Sequence, residues 1–194
     1  MRDATPDRRT TSVPLLTLAD LVPLQYRTPG LSAAELAATE KRAGARFPPD
    51  LCELLRATVP TGPQFPDWRG DPREAIDGFR KRVIEGIQFD AIHSGVWLQS
   101  WGERPAEKDV VGVVAQLVRD APVLIPVYGH RAIPNEPLEA GNPVFSLVQT
   151  DVIVYGSNLF EYLVNEFHPR PPGGAVLRSV DVREIRFWAA LTRA

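Results

Sequence analysis

The chain has 194 residues, with 22 Lys and Arg against 24 Asp and Glu, a formal net charge of −2. Hydrophobic residues make up 44%, enough for a full core, which excludes a largely disordered or collagen-like chain. The longest uncharged windows, such as Ala91 to Gly102, fall well short of the ~20 residues that span a bilayer, and the charge balance selects no nucleic-acid surface.

The elements follow in chain order. Residues 1–29 read as an irregular N-terminal arm, with Leu15, Leu16, Leu18, Leu21 and Leu24 able to lie on the domain that residues 30–194 form. Met1 to Thr11 holds acids and arginines where a secretory signal would need an apolar run. Ser32 and Glu35 make a capping box, and the helix they open runs to Gly44, a natural stop. Phe47-Pro48-Pro49-Asp50 turns the chain into a second helix, with Leu51, Leu54, Leu55 and Val59 as its buried stripe. Pro60 to Gly70 is loop. Asp71-Pro72 caps and enters a third helix, whose face is Ile76, Phe79, Val83, Ile84 and Ile87.

Gly95 to Gly102 is aromatic and turn-rich, and a helix from about Ala106 to Asp120 follows. Strands are expected at 123–128, 143–149 and 151–155. Asn158 caps a helix through Phe167, a further strand is expected near Val176 to Val182, and a short helix surrounds Trp188. The 19 prolines, about twice the usual share, fall between these segments and punctuate them. Helices first and consecutive strands later give an α+β fold, helices packed on an antiparallel-rich mixed sheet.

Four stretches carry a resemblance. They are the capped helix Leu31 to Glu40, Phe47-Pro48-Pro49-Asp50-Leu51, Leu124-Ile125-Pro126-Val127, and Gly141-Asn142-Pro143-Val144-Phe145. In this order and spacing, across roughly residues 30 to 167, the chain resembles the SUKH superfamily of bacterial immunity proteins and eukaryotic cell-wall-synthesis regulators. Trp101-Gly102-Glu103-Arg104-Pro105 and Phe187-Trp188 are similar to members with a larger central, helical insertion. Val59-Pro60-Thr61-Gly62 stands where many relatives have Asn-Gly. The resemblance implies a protein-binding scaffold, often one that neutralises a toxin, without established catalytic residues.

Candidate chemistry is sparse. Cys52, the one cysteine, sits in a helix and reads as a buried or half-buried structural residue with no internal disulfide partner, which suits a reduced, cytoplasmic protein. His93, His130 and His168 are too scattered for a zinc pair in sequence. Glu35 is explained by capping. Arg80-Lys81-Arg82 shares its helix with Glu74, Asp77 and Glu85 and reads as a solvated, ion-paired face.

The functional expectation is a non-enzymatic, cytoplasmic module that binds a protein, in concrete terms an immunity protein masking a toxin domain. No catalytic residue, metal, cofactor, nucleic acid or membrane enters that expectation. Its candidate contact residues are Asp67, Trp68, Arg69 and Asp71 in the proline-rich loop, with Tyr128, His130 and Arg131. Trp68 is either an exposed anchor or a ring folded back over a hydrophobic edge. The alternative is a small-molecule-binding protein or enzyme, with a pocket near Tyr128, His130 and Trp101.

Overall fold

A computed structural model describes residues 16–168 and 181–193. The fold is α+β. Its centre is a four-stranded sheet of β3 (Leu124–Tyr128), β4 (Arg131–Pro134), β5 (Val144–Val148) and β6 (Asp151–Gly156), ordered β3-β4-β5-β6. Every pairing is antiparallel. The three expected strands therefore share one sheet, and no parallel pairing of a mixed sheet occurs among the described residues. Strand β4 was not expected: Arg131-Ala132-Ile133-Pro134 ends in proline, which discourages a strand reading, yet it pairs on both sides.

Both faces of the sheet are covered. Ile125, Val127, Ile133 and Val144 pack on one side with Leu36, Leu51, Leu54, Leu55, Leu159 and Leu163. Those leucines come from α2 (Ala33–Ala43), α3 (Pro49–Ala57) and α6 (Leu159–Phe167). Leu124, Ala132, Phe145, Leu147 and Val152 pack on the other side with Phe79, Val83, Val110, Val114 and Trp188. These belong to α4 (Pro72–Phe89), α5 (Glu107–Asp120) and α7 (Trp188–Leu191). A sheet buried on both faces has apolar residues in succession, which is why Val144 to Leu147 are all buried.

The local signals explain the helix ends. Ser32 Oγ accepts from the Glu35 N–H, and the Ser32 N–H donates to the Glu35 carboxylate at 2.8 Å. Gly44 closes α2 at φ 69°, a left-handed conformation that glycine adopts without strain. Glu40 then accepts from the Phe47 N–H at 2.7 Å, fixing the turn into α3. Asp50 reaches across the chain and accepts from the Gly141 N–H at 3.1 Å.

Three expectations change. Residues 16–29 are not irregular: Thr17 and Asp20 cap α1 (Leu18–Leu21), and β1 (Arg27–Pro29) pairs with β2 (Thr58–Pro60) in a second, two-stranded sheet. Leu18, Leu21 and Val22 enter the core. The arm looked irregular because α1 is a single turn and β1 draws its pairing from a strand 30 residues away. Val59 lies in β2, beyond the end of α3. Of the strand expected at 176–182, residues 176–180 lie outside the described residues, and 181 and 182 carry no strand.

Candidate functional site

The loop from Thr61 to Gly70 has no regular structure, yet it is fixed at several points. Trp68 is only 2% exposed and packs on Phe47 at 5.0 Å between ring centroids. Arg69 donates to the Pro29 carbonyl at 2.7 Å and lies 3.5 Å from the Glu35 carboxylate. Arg42 of α2 donates to the Gly70 carbonyl at 3.0 Å. At its other end, the Thr61 N–H donates to Tyr26 and the Gln64 carbonyl accepts from the Gly129 N–H, both at 2.8 Å. Of the two readings of Trp68, these contacts select the ring folded back on the core, which removes Trp68 from the exposed contact residues. The ring fastens the loop to the turn between α2 and α3, and Arg69 is occupied by the chain's own backbone.

With the loop so held, its segment Pro63–Asp67 faces α4 across an open cleft of about 690 Å³. Phe65 and Pro66 line the loop side, and Pro126 of β3 with Gly129 and His130 of the β3–β4 turn line the rest. The helix side carries Asp71, Glu74, Gly78 and Arg82. Asp71 is fixed because it caps α4, with Oδ1 accepting from the Arg73 and Glu74 N–H groups at 3.1 and 3.0 Å. Asp67 is fixed by the Gly70 N–H, which donates to its Oδ1 at 2.8 Å. Of the expected residues, Asp67, Asp71 and His130 thus meet in one cleft.

Tyr128 and Arg131 lie beside it. A bulge between Pro126 and Tyr128 breaks the strand's alternation, so Tyr128 turns onto the same face as Val127. There it meets Phe65 at 4.6 Å and Phe167 at 5.4 Å. Arg131 stacks on the Tyr155 ring at 4.4 Å, and its Nε lies 3.6 Å from Glu166. Both of those side chains are largely buried. Arg131 also lies against His130, Nη1 standing 2.9 Å from Nδ1. Partial burial, and next the Arg131 charge, hold the His130 imidazole below its ordinary pKa of 6.5. His130 is therefore neutral at neutral pH, and Arg82 is the one cation among the residues lining the cleft.

Trp101 does not join this group. It packs with Trp97 at 5.4 Å and Phe187 at 6.0 Å, in the core on the opposite face of the sheet. A pocket shared by Tyr128, His130 and Trp101 is therefore absent from the described residues. Cys52 is half-buried, and burial pushes its thiol up to about 11, which leaves it protonated at neutral pH. Among the described residues, no group of three or more His, Cys, Asp or Glu is placed to hold a metal ion. No described helix is long and apolar enough to cross a membrane.

The sequence missed Phe65, Glu74, Gly78 and Arg82. One signal existed: the Asp71 cap fixes the phase of α4, which puts Glu74 one turn on and Gly78 and Arg82 above it. Nothing local says that the loop folds against that face. No family model, curated protein or solved structure matches the chain.

Proposed function

We propose that this chain is a non-enzymatic module that docks a protein in the cleft between residues 63–67 and α4. Following the SUKH resemblance, the more specific proposal is an immunity protein that masks a bacterial toxin. The observation that carries the docking proposal is the clamped loop. A wall without regular structure, held by Trp68, Arg69 and Arg42, is organised before a partner arrives, so little ordering entropy is lost on binding. Support for the family resemblance is that two of its stretches touch, Asp50 accepting from Gly141.

Gly78→Trp tests the docking site. A Cβ at Gly78 meets only the flexible ends of side chains, Glu74 Oε1 at 3.1 Å and Arg82 Nη1 at 3.8 Å, so the added ring projects into the cleft without displacing the core. Gly112→Trp on α5, where nothing lies within 4 Å, carries the same ring elsewhere. Each variant is tested for capture of a toxin domain encoded beside the chain. Docking in the cleft predicts that Gly78→Trp loses capture while Gly112→Trp keeps it, with equal melting temperatures. Equal capture by both variants overturns the site.

A further inference from the structure

We propose that the chain forms a two-fold symmetric dimer by pairing β6 with β6 of a second copy, antiparallel and centred on Ile153. The strand lies at the opposite edge of the sheet from β3, which lines the cleft, so this interface is independent of the docking proposal.

The two edges of the sheet are built differently. An open edge presents unpaired N–H and C=O groups to any other strand, and folded proteins blunt such edges with proline, charge or cover. Strand β3 is blunted. Pro126 has no N–H at the middle of the strand, and just beyond it the Gly129 N–H donates to the Gln64 carbonyl at 2.8 Å. The centre of β6, Val152-Ile153-Val154, has neither proline nor charge. Its outer side follows from the pairing. The Leu147 N–H turns toward β4, donating to the His130 carbonyl at 3.1 Å. Val152, opposite Leu147, therefore carries its N–H and C=O on the side away from β5, and Val154 follows in the same phase. Among the described residues, these four groups have no hydrogen-bond partner.

The edge is self-complementary, which points to a second copy as its occupant. Val-Ile-Val reads the same in both directions. An antiparallel pairing about Ile153 thus sets Val152 against Val154 of the second copy, and Val154 against Val152. Both are hydrogen-bonded pairs, so all four outward groups of each copy are satisfied together. Ile153, 49% exposed in the single chain, meets its own counterpart across the two-fold axis, with exposed Val148 on the same face.

Charge agrees with this register. Asp151 stands opposite Tyr155 of the second copy, the ring on which Arg131 stacks at 4.4 Å. Among the described residues, Asp151 has no Lys or Arg nitrogen of its own within 4.0 Å. The dimer brings a guanidinium to that side, twice by symmetry. An unrelated strand would use the same backbone groups without matching both the valine steps and the charge.

The test uses the full chain. Sedimentation velocity over a wide concentration range should show the mass rising from one chain to two. Ile153→Lys sets two cations face to face at the axis and should hold the protein at one chain. Val111→Lys on α5, where the side chain is 48% exposed, makes the same change elsewhere and should leave the dimer intact. Hydrogen exchange reads the place: the Val152 and Val154 amides should exchange fast in the dilute chain and slow about ten-fold or more on dimerisation. A single-chain mass at every concentration overturns the inference. So does a dimer that Ile153→Lys leaves intact or that Val111→Lys also abolishes. Slow exchange of both amides in the dilute monomer overturns it as well, because the edge is then covered within one chain.

Discussion

Trp68 buries its ring against Phe47 while Asp67, one residue earlier, stays exposed at the cleft. One loop thus divides its residues between anchoring and contact, and substitutions there should separate the two roles. Trp68→Ala removes a ring that is 2% exposed and should cost about 3–5 kcal/mol of stability, as for other buried aromatics. Chemical denaturation reads that loss directly, and an unchanged midpoint would show that the loop does not depend on the ring. His130 is the titrating counterpart. Its folded-state pKa lies below the ordinary 6.5, so the folded protein binds this proton less readily than the unfolded chain. Stability should fall as pH drops through 6.5 toward the lower folded-state pKa. An NMR titration should place the His130 midpoint under 6.5, and Arg131→Gln should raise it by removing the adjacent positive charge.

Helix α4 is the element on which fold and site meet. Ile76 reaches the core that α2 and α3 share, while Phe79, Val83 and Ile87 reach the core on the other face of the sheet. Its far end is tied down where Asp90 accepts from the Thr150 N–H and hydroxyl, at 3.0 and 2.6 Å. A helix held at both ends tolerates a weak middle. Gly78 lacks the side chain that would restrict its unfolded conformations, and only the tip of Glu74 stands in the way of a methyl group. Gly78→Ala should therefore stabilise the protein by up to about 1 kcal/mol. A thermal melt that moves upward bears this out, and one that moves downward shows that the glycine is needed for packing. Gly156 in β6 is the contrasting case. A Cβ there would stand 2.5 Å from the Tyr162 backbone nitrogen, so the close approach of α6 to the sheet requires glycine.

At the scale of the whole molecule, the sheet divides the core, and the first described residues complete one half of it. Leu18, Leu21 and Val22 are buried against the α3 and α6 side. The His168 imidazole and the Leu21 carbonyl, 2.8 Å apart, tie this segment to the end of α6. Removing residues through Arg27 uncovers three buried side chains, each contributing about 1.5–3 kcal/mol. That sum approaches the whole stability of a typical domain. The truncated chain should lack a cooperative unfolding transition, whereas a cooperative melt would show that the segment is dispensable.

What the sequence determined by itself was everything encoded within a turn or two of chain. Ser32 with Glu35, Asp71 with the Arg73 and Glu74 N–H groups, and Asn158 with the Glu161 N–H each mark a helix start through a contact between residues three apart or fewer. The apolar runs at 124–128 and 144–148 and the α+β class follow from period and order alone. Tertiary structure decided what depends on residues distant in sequence. Strand β4 has too little local preference and exists because β3 and β5 flank it. The bulge at Tyr128 turned that side chain to the site's face, and the burial of Trp68 depended on Phe47, 21 positions away. Asp67, Asp71 and His130 were legible as polar residues near turns. Their meeting with Glu74, Gly78 and Arg82 needed the loop to be clamped over α4, a matter of packing between segments that no local pattern contains.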